Sequence, residues 1–181
     1  MKLEIHERDT RPFYDEFVYL SFHYQDIHKN PKKKTHFISY EAILYSVISI
    51  LLTLFFLYLY VTDKSTFHLL GLIFVGFVFL LSLLYLFLAF LCIHKHRNVS
   101  GTITIDFSKD GIQMSTSYGT FLLPYSDISF ILIEHYGICF VPKEKVKPMM
   151  AISKKYSDFV LKAIKKYQQE ELVIDKSNLY P

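Results

Sequence analysis

The 181-residue chain has no tryptophan, two cysteines and six glycines. Each shortage closes off a class of chemistry. Cys92 and Cys139 are too few for a disulfide framework or a cysteine-rich zinc cluster. Three glycines stand at turn signals, Asp110-Gly111, Tyr118-Gly119 and Tyr136-Gly137, which leaves few for a phosphate-cradling loop. Neither G-x-S-x-G nor H-E-x-x-H occurs. The most informative shortage is local: 21 positions between Glu41 and Asp63, and 30 between Lys64 and Lys95, carry no Asp, Glu, Lys or Arg. A bilayer-crossing helix needs about 20 apolar residues, whereas apolar runs of about 10–14 suit a buried soluble helix. Two spans are therefore predicted, at about 37–62 and 67–93.

Energetics support that reading. Residues 42–62 hold 13 Leu, Ile, Val or Phe, and residues 67–93 hold 20. At roughly −0.3 to −0.6 kcal/mol each, insertion gains about −4 to −8 and −6 to −12 kcal/mol, enough to outweigh Glu41 at the boundary. A secretory signal has an apolar core of about 7–15 residues close to the N-terminus, unlike a run that starts near Phe37. The chain is 51% apolar, which excludes a disordered tail.

Basic residues flank the pair. Lys29, Lys32, Lys33 and Lys34 precede the first run, Lys95 and Arg97 follow the second, and the connection "TDKSTF" has one Lys offset by one Asp. Lys/Arg bias in short flanks orients membrane proteins, so both ends of the hairpin are expected in the cytoplasm. So close to a bilayer, these lysines orient the chain and do not bind nucleic acid. Small residues form two helical stripes, Ala42, Ser46, Ser49 and Thr53 on one and Gly71, Ser82 and Ala89 on the other, suited to close packing within the hairpin or, less favoured, to a homo-oligomeric seam.

From residue 100 the period changes to two. "GTITIDF", "IQMSTS", "TFLLPY", "DISFILIEH", "ICFVPK" and "PMMAIS" read as six strands, and Ser157 to Glu171 as a helix with Ser157 as N-cap. Phe159, Val160, Ala163, Ile164 and Tyr167 share one face of that helix, with Lys162, Lys165 and Lys166 on the other. "KLEIHE" adds a strand upstream. Residues 12–28 fit either helix or strand, with helix preferred and a place in the headgroup region expected for it. Seven antiparallel strands and a closing helix give the element order of a pleckstrin-homology-like barrel with the hairpin inserted into it. The expected fold class is an α+β membrane protein. Its expected parts are 1–36 (strand, helix and basic flank), 37–93 (hairpin), 94–171 (barrel domain) and 172–181 (tail).

In this order the strand, "YDEFVYLSFHY", the two spans, "ITIDFSKDGIQMSTSYGTFLLPYSDISFILIEHYGICFVP" and "AISKKYSDF" resemble the YcxB-like bacterial membrane proteins over about residues 1–165. Tyr125 stands where that family usually has Trp, and Ser153 where it often has Pro. The resemblance implies a multi-pass protein of the bacterial inner membrane, with two spans, a cytoplasmic pleckstrin-homology-like domain, both termini cytoplasmic and no catalytic residues.

Few residues invite chemistry. His94 and His96 lack a third ligand at zinc spacing. Asp127 and Glu134 are single carboxylates with no partner for acid–base work. His135 and Cys139 flank Tyr136-Gly137, but a two-residue turn there sets Cys139 opposite Glu134, poor geometry for a nucleophile–base pair. No cofactor or metal is expected, and no enzyme. Between Lys143 and Lys166 eight lysines (Lys143, Lys145, Lys147, Lys154, Lys155, Lys162, Lys165, Lys166) face only Glu144 and Asp158, a net of +6. That surface suits anionic headgroups or an acidic protein partner. The expected function is a non-catalytic membrane protein that binds one of these, and the alternative is immunity or stress tolerance against a membrane-active toxin or antimicrobial peptide.

The orientation is testable at Asn98-Val99-Ser100. In a eukaryotic membrane-insertion system this sequon is expected to remain unglycosylated, and a glycan on Asn98 would place the following residues on the wrong side.

Overall fold

Strand β1, Lys2–Ile5, finds its partner about a hundred residues later, pairing antiparallel with β2, Ile103–Phe107, from Lys2↔Asp106 to Ile5↔Ile103. A computed structural model describes residues 1–6, 8–98, 101–117 and 119–179. It divides into two units, residues 1–35 with 96–181, and residues 36–95. Val99 and Ser100 of the sequon, Tyr118 of the second turn signal, and the last two tail residues lie outside the described residues.

The first unit is α+β. After β1 come helices α1, Arg11–Phe22, and α2, Tyr24–Lys29. Beyond the second unit follow β2, β3 (Gly111–Thr116), β4 (Gly119–Pro124), β5 (Ile128–Ile133), β6 (Gly137–Pro142) and β7 (Met150–Ser153). Helix α5, Ser157–Lys166, and a three-residue strand β8, Val173–Asp175, complete it. The strands form two four-stranded sheets, ordered β1-β2-β3-β4 and β7-β6-β5-β8. All pairings are antiparallel except β5 with β8, which is parallel.

The expected seven antiparallel strands are thereby corrected to eight strands in two sheets among the described residues. Alternation explains how they pack. Ile105 and Phe107 turn inward while Asp106 between them is exposed. With Ile112 and Leu123 they meet Ile131, Ile138, Phe140 and Ile152 of the second sheet, and Val160, Ala163 and Ile164 of α5 close this core. Strands β5 and β6 do not alternate, because their sheet is covered on both sides. On the far face Phe130, Leu132, Cys139 and Val141 meet Leu20, Tyr24 and Ile27 of α1 and α2.

Residues 12–28 are therefore helical, but their apolar face lies on the second sheet and is not available to headgroups. The C-terminal helix is also shorter than expected. It stops at Lys166, five residues before Glu171, because Gln168 adopts φ +56°, a left-handed conformation that cannot continue an α-helix. Ser157 lies within the helix, and Tyr156 occupies the cap position. Residues 172–181, expected as a tail, contain β8.

The second unit is a helical hairpin, α3 (Ile38–Asp63) and α4 (Thr66–Arg97), the latter running two residues past the unit's boundary. Both helices are long and apolar enough to cross a membrane. At 1.5 Å per residue they extend about 39 and 48 Å, against a hydrocarbon core of about 30 Å. Most of their large apolar side chains face outward, including Leu44, Leu51, Phe74 and Phe87. Ala42, Ser46, Ser49, Ser82 and Ala89 are buried, and the Ser49 and Ser82 hydroxyls lie 2.8 Å apart. The Thr53 hydroxyl donates to the Ser49 carbonyl at 2.7 Å. A Cβ at Gly71 would stand 2.3 Å from the Phe56 ring, so the absence of a side chain there lets the helices approach.

Candidate functional site

Helix α1 presents Glu16, a residue that sequence alone would assign to a solvated face. It is 3% exposed. Its carboxylate accepts the His135 amide on Oε1 and the Tyr136 amide on Oε2, both at 3.1 Å, in the turn between β5 and β6. Gly137 allows this approach, since a Cβ there would meet the Phe13 ring at 2.9 Å. The Glu134 amide donates to the Gly137 carbonyl at 2.8 Å, and Ile133 pairs with Ile138. The two turn residues are thus His135 and Tyr136, not Tyr136 and Gly137. Cys139 stands opposite Leu132, not Glu134.

Beneath this turn lies a buried ion pair. Lys176 Nζ is 2.5 Å from Glu134 Oε1, with the side chains 2% and 0% exposed. The same ammonium donates to the Lys33 carbonyl and the Thr35 hydroxyl, each at 3.0 Å. Lys176 follows β8, whose pairing with β5 continues in the bond from the Lys176 amide to the Ile133 carbonyl. One side chain therefore joins the chain's last strand, the end of β5, and the segment through which the chain leaves this unit at Thr35.

With both carboxylates ionised, the Glu16–Glu134–Lys176 cluster has one anion in excess. Burial, followed by the Glu134 carboxylate, pushes the Glu16 carboxyl up to about 7, against the lowering effect of the Tyr136, His135 and Gly137 amides. Burial also pushes the Cys139 thiol well above its ordinary value, helped by Glu16 and Glu134. Cys139 is 1% exposed among apolar side chains, an environment that disfavours the nucleophilic thiolate. Among the described residues no group of three His, Cys, Asp or Glu is placed to hold a metal. His94 is exposed, and the His96 ring meets Phe17 edge-on at 5.3 Å.

The eight lysines from 143 to 166 do not form one face. Lys143, Lys145 and Lys147 lie in the loop after β6, Lys154 and Lys155 just beyond β7, and Lys162, Lys165 and Lys166 on the exposed side of α5. Because β6 and β7 are antiparallel, the first group is at one end of the second sheet. The second group is at the other end, where the Lys154 amide donates to the Tyr136 carbonyl at 2.9 Å. Lys147 bonds Asp127 at 2.7 Å and holds that carboxyl below its usual range. Between Lys145 and Lys147, Val146 is 94% exposed. A recess of about 240 Å³ is lined by Ile5 of β1, Phe13 and Phe17 of α1, Met114 of β3 and Met150 of β7. Arg8 and Asp9, of opposite charge, also line it.

Of the basic residues beside the hairpin, Lys29, Lys32, Lys33, Lys34, Lys95 and Arg97 all belong to or adjoin the points at which the chain passes between the two units. No family model, no curated protein and no solved structure matches this chain.

Two outcomes follow from the cluster. Glu16 has a folded-state pKa of about 7 against an ordinary 4.5, so its contribution is fully present below pH 4.5 and is lost as pH rises through 7. Thermal unfolding of the full chain is expected to show stability falling by roughly 3 kcal/mol over that window, at 1.36 kcal/mol per pKa unit. Glu16→Gln should flatten the slope, and an unchanged slope would remove Glu16 as its source. Lys176→Met leaves a buried carboxylate uncompensated and should cost about 3–5 kcal/mol, whereas the double variant Glu134→Leu/Lys176→Met should recover most of the loss.

Proposed function

We propose that this protein is a non-catalytic membrane anchor whose β-rich unit docks an acidic partner protein through the loop after β6. In this reading α3 and α4 span the bacterial inner membrane, and both chain ends are cytoplasmic, as the lysine bias implies. The β-rich unit is a pleckstrin-homology-like domain of the YcxB-like kind.

The observation that carries the docking role is the loop itself. It projects Val146 almost fully into solvent, with Lys143 and Lys145 exposed beside it. An apolar tip among cations suits a surface with a small apolar site and surrounding carboxylates. The loop stands at the opposite end of the second sheet from Glu134 and its partner Lys176. A six-residue strand at about 3.3 Å per residue separates those ends by roughly 17–20 Å.

A second reading is favoured by Lys154 and Lys155, which lie at the same end of the sheet as the Glu134–Lys176 pair. These lysines, with Lys33 and Lys34, would meet anionic headgroups at about 1 kcal/mol each, screened by salt.

A photo-crosslinking residue placed at 146 in the full-length protein, in cells, separates the two. A discrete protein adduct is expected at 146, absent from a probe at 162 and lost with Lys143→Glu/Lys145→Glu. Lipid adducts, or equal labelling at both positions, would overturn the partner reading.

A further inference from the structure

The longest charge-free stretch outside the hairpin runs between Asp110 and Asp127, 16 residues of a chain that is 20% charged. It folds into β3 and β4, and β4 is the outer strand of its sheet. The pairing is regular from Gly111↔Pro124 to Thr116↔Gly119, with no bulge. Gly119, Thr120, Phe121 and Leu122 are all exposed, Phe121 at 42% and Leu122 at 56%.

Edge strands ordinarily carry charges, bulges or internal prolines that block pairing with another chain. In the first sheet β1 follows that rule, with exposed Lys2 and Glu4. Strand β4 does not, and its one proline, Pro124, is the last residue. Its backbone hydrogen-bonding groups on the outer side and its apolar side chains limit what could cover it. Hydrocarbon is a poor cover, because each unsatisfied backbone group there costs several kcal/mol. An extended strand satisfies both the backbone and the side chains. A neutral edge offers no charge by which to select a foreign strand, and none to repel its own copy.

We propose that β4 pairs antiparallel with β4 of a second copy of this chain, joining two four-stranded sheets into one across a two-fold axis. Thr120, Phe121 and Leu122 form the centre of the contact. This pairing does not depend on the lysine loop, and the variants that test it leave residues 143–155 unchanged.

The experiment uses the full-length protein in lipid nanodiscs assembled over a range of protein concentrations, with mass measured by light scattering. Two copies per particle are expected. Leu122→Lys should weaken the dimer at least about tenfold by bringing two like charges into the centre of the new strand pair. Mixing Leu122→Lys with Leu122→Glu should restore it. Leu122 is exposed, so Leu122→Lys should keep a cooperative thermal transition, and loss of folding does not explain the result. Single cysteines at 119–123 in a Cys92→Ser background should form intermolecular disulfides that peak at one position and fall off on either side. Monomers at all concentrations would overturn the proposal, as would dimers insensitive to Leu122→Lys or a flat cross-linking profile.

Discussion

Three separate stretches of chain depend on one ammonium group. Lys176 pairs with Glu134 in the interior and binds the chain at Lys33 and Thr35. Buried ion pairs add little net stability compared with apolar packing, yet losing one partner is expensive, so such a pair enforces an arrangement more than it strengthens one. The arrangement here is the exit of the chain from the β-rich unit. With Lys176 in place, Lys33 and Thr35 have a fixed point beside the end of β5.

Glu16 extends that arrangement into the first helix. Its carboxylate caps two amides of the turn between β5 and β6, while α1 and α2 cover the outer face of the same sheet. The second sheet is therefore enclosed by helices on one side and by the first sheet and α5 on the other. That enclosure explains the continuous burial of "ISFILI" and "GICFVP". It also buries Cys139 among apolar neighbours, where burial, helped by the Glu16 and Glu134 charges, pushes its thiol upward.

How far the fold could be read from sequence depended on the range of the governing interactions. The two long helices were legible because insertion energy accumulates residue by residue over an uncharged run. The hairpins β2–β3 and β3–β4 were legible because Asp110-Gly111 and Gly119 impose local turns. Strand β8 was not, since three residues show no period and its register comes wholly from β5. The roles of Glu16 and Lys176 were invisible for the same reason. Each resembles a solvated charge until the tertiary fold brings a partner from more than a hundred positions away. The turn at 134–137 was misplaced by one residue, because the Gly137 amide and carbonyl belong to the strand. The lysine-rich stretch was visible as composition, but only the antiparallel pairing of β6 with β7 revealed that it is divided between opposite ends of a sheet.

The order of elements along the chain sets an order of assembly. Residues 1–35 are synthesised before the 60-residue hairpin, and every strand that pairs with β1 or supports α1 comes after it. At 5–20 residues per second, a ribosome takes about 3–12 s to make that intervening segment. During that interval Phe13, Val18, Leu20, Tyr24 and Ile27 have no sheet to cover them. If α3 and α4 cross a membrane, the apolar hairpin is thus complete before the β-rich unit can close, and the N-terminal segment stays uncovered until the second sheet emerges.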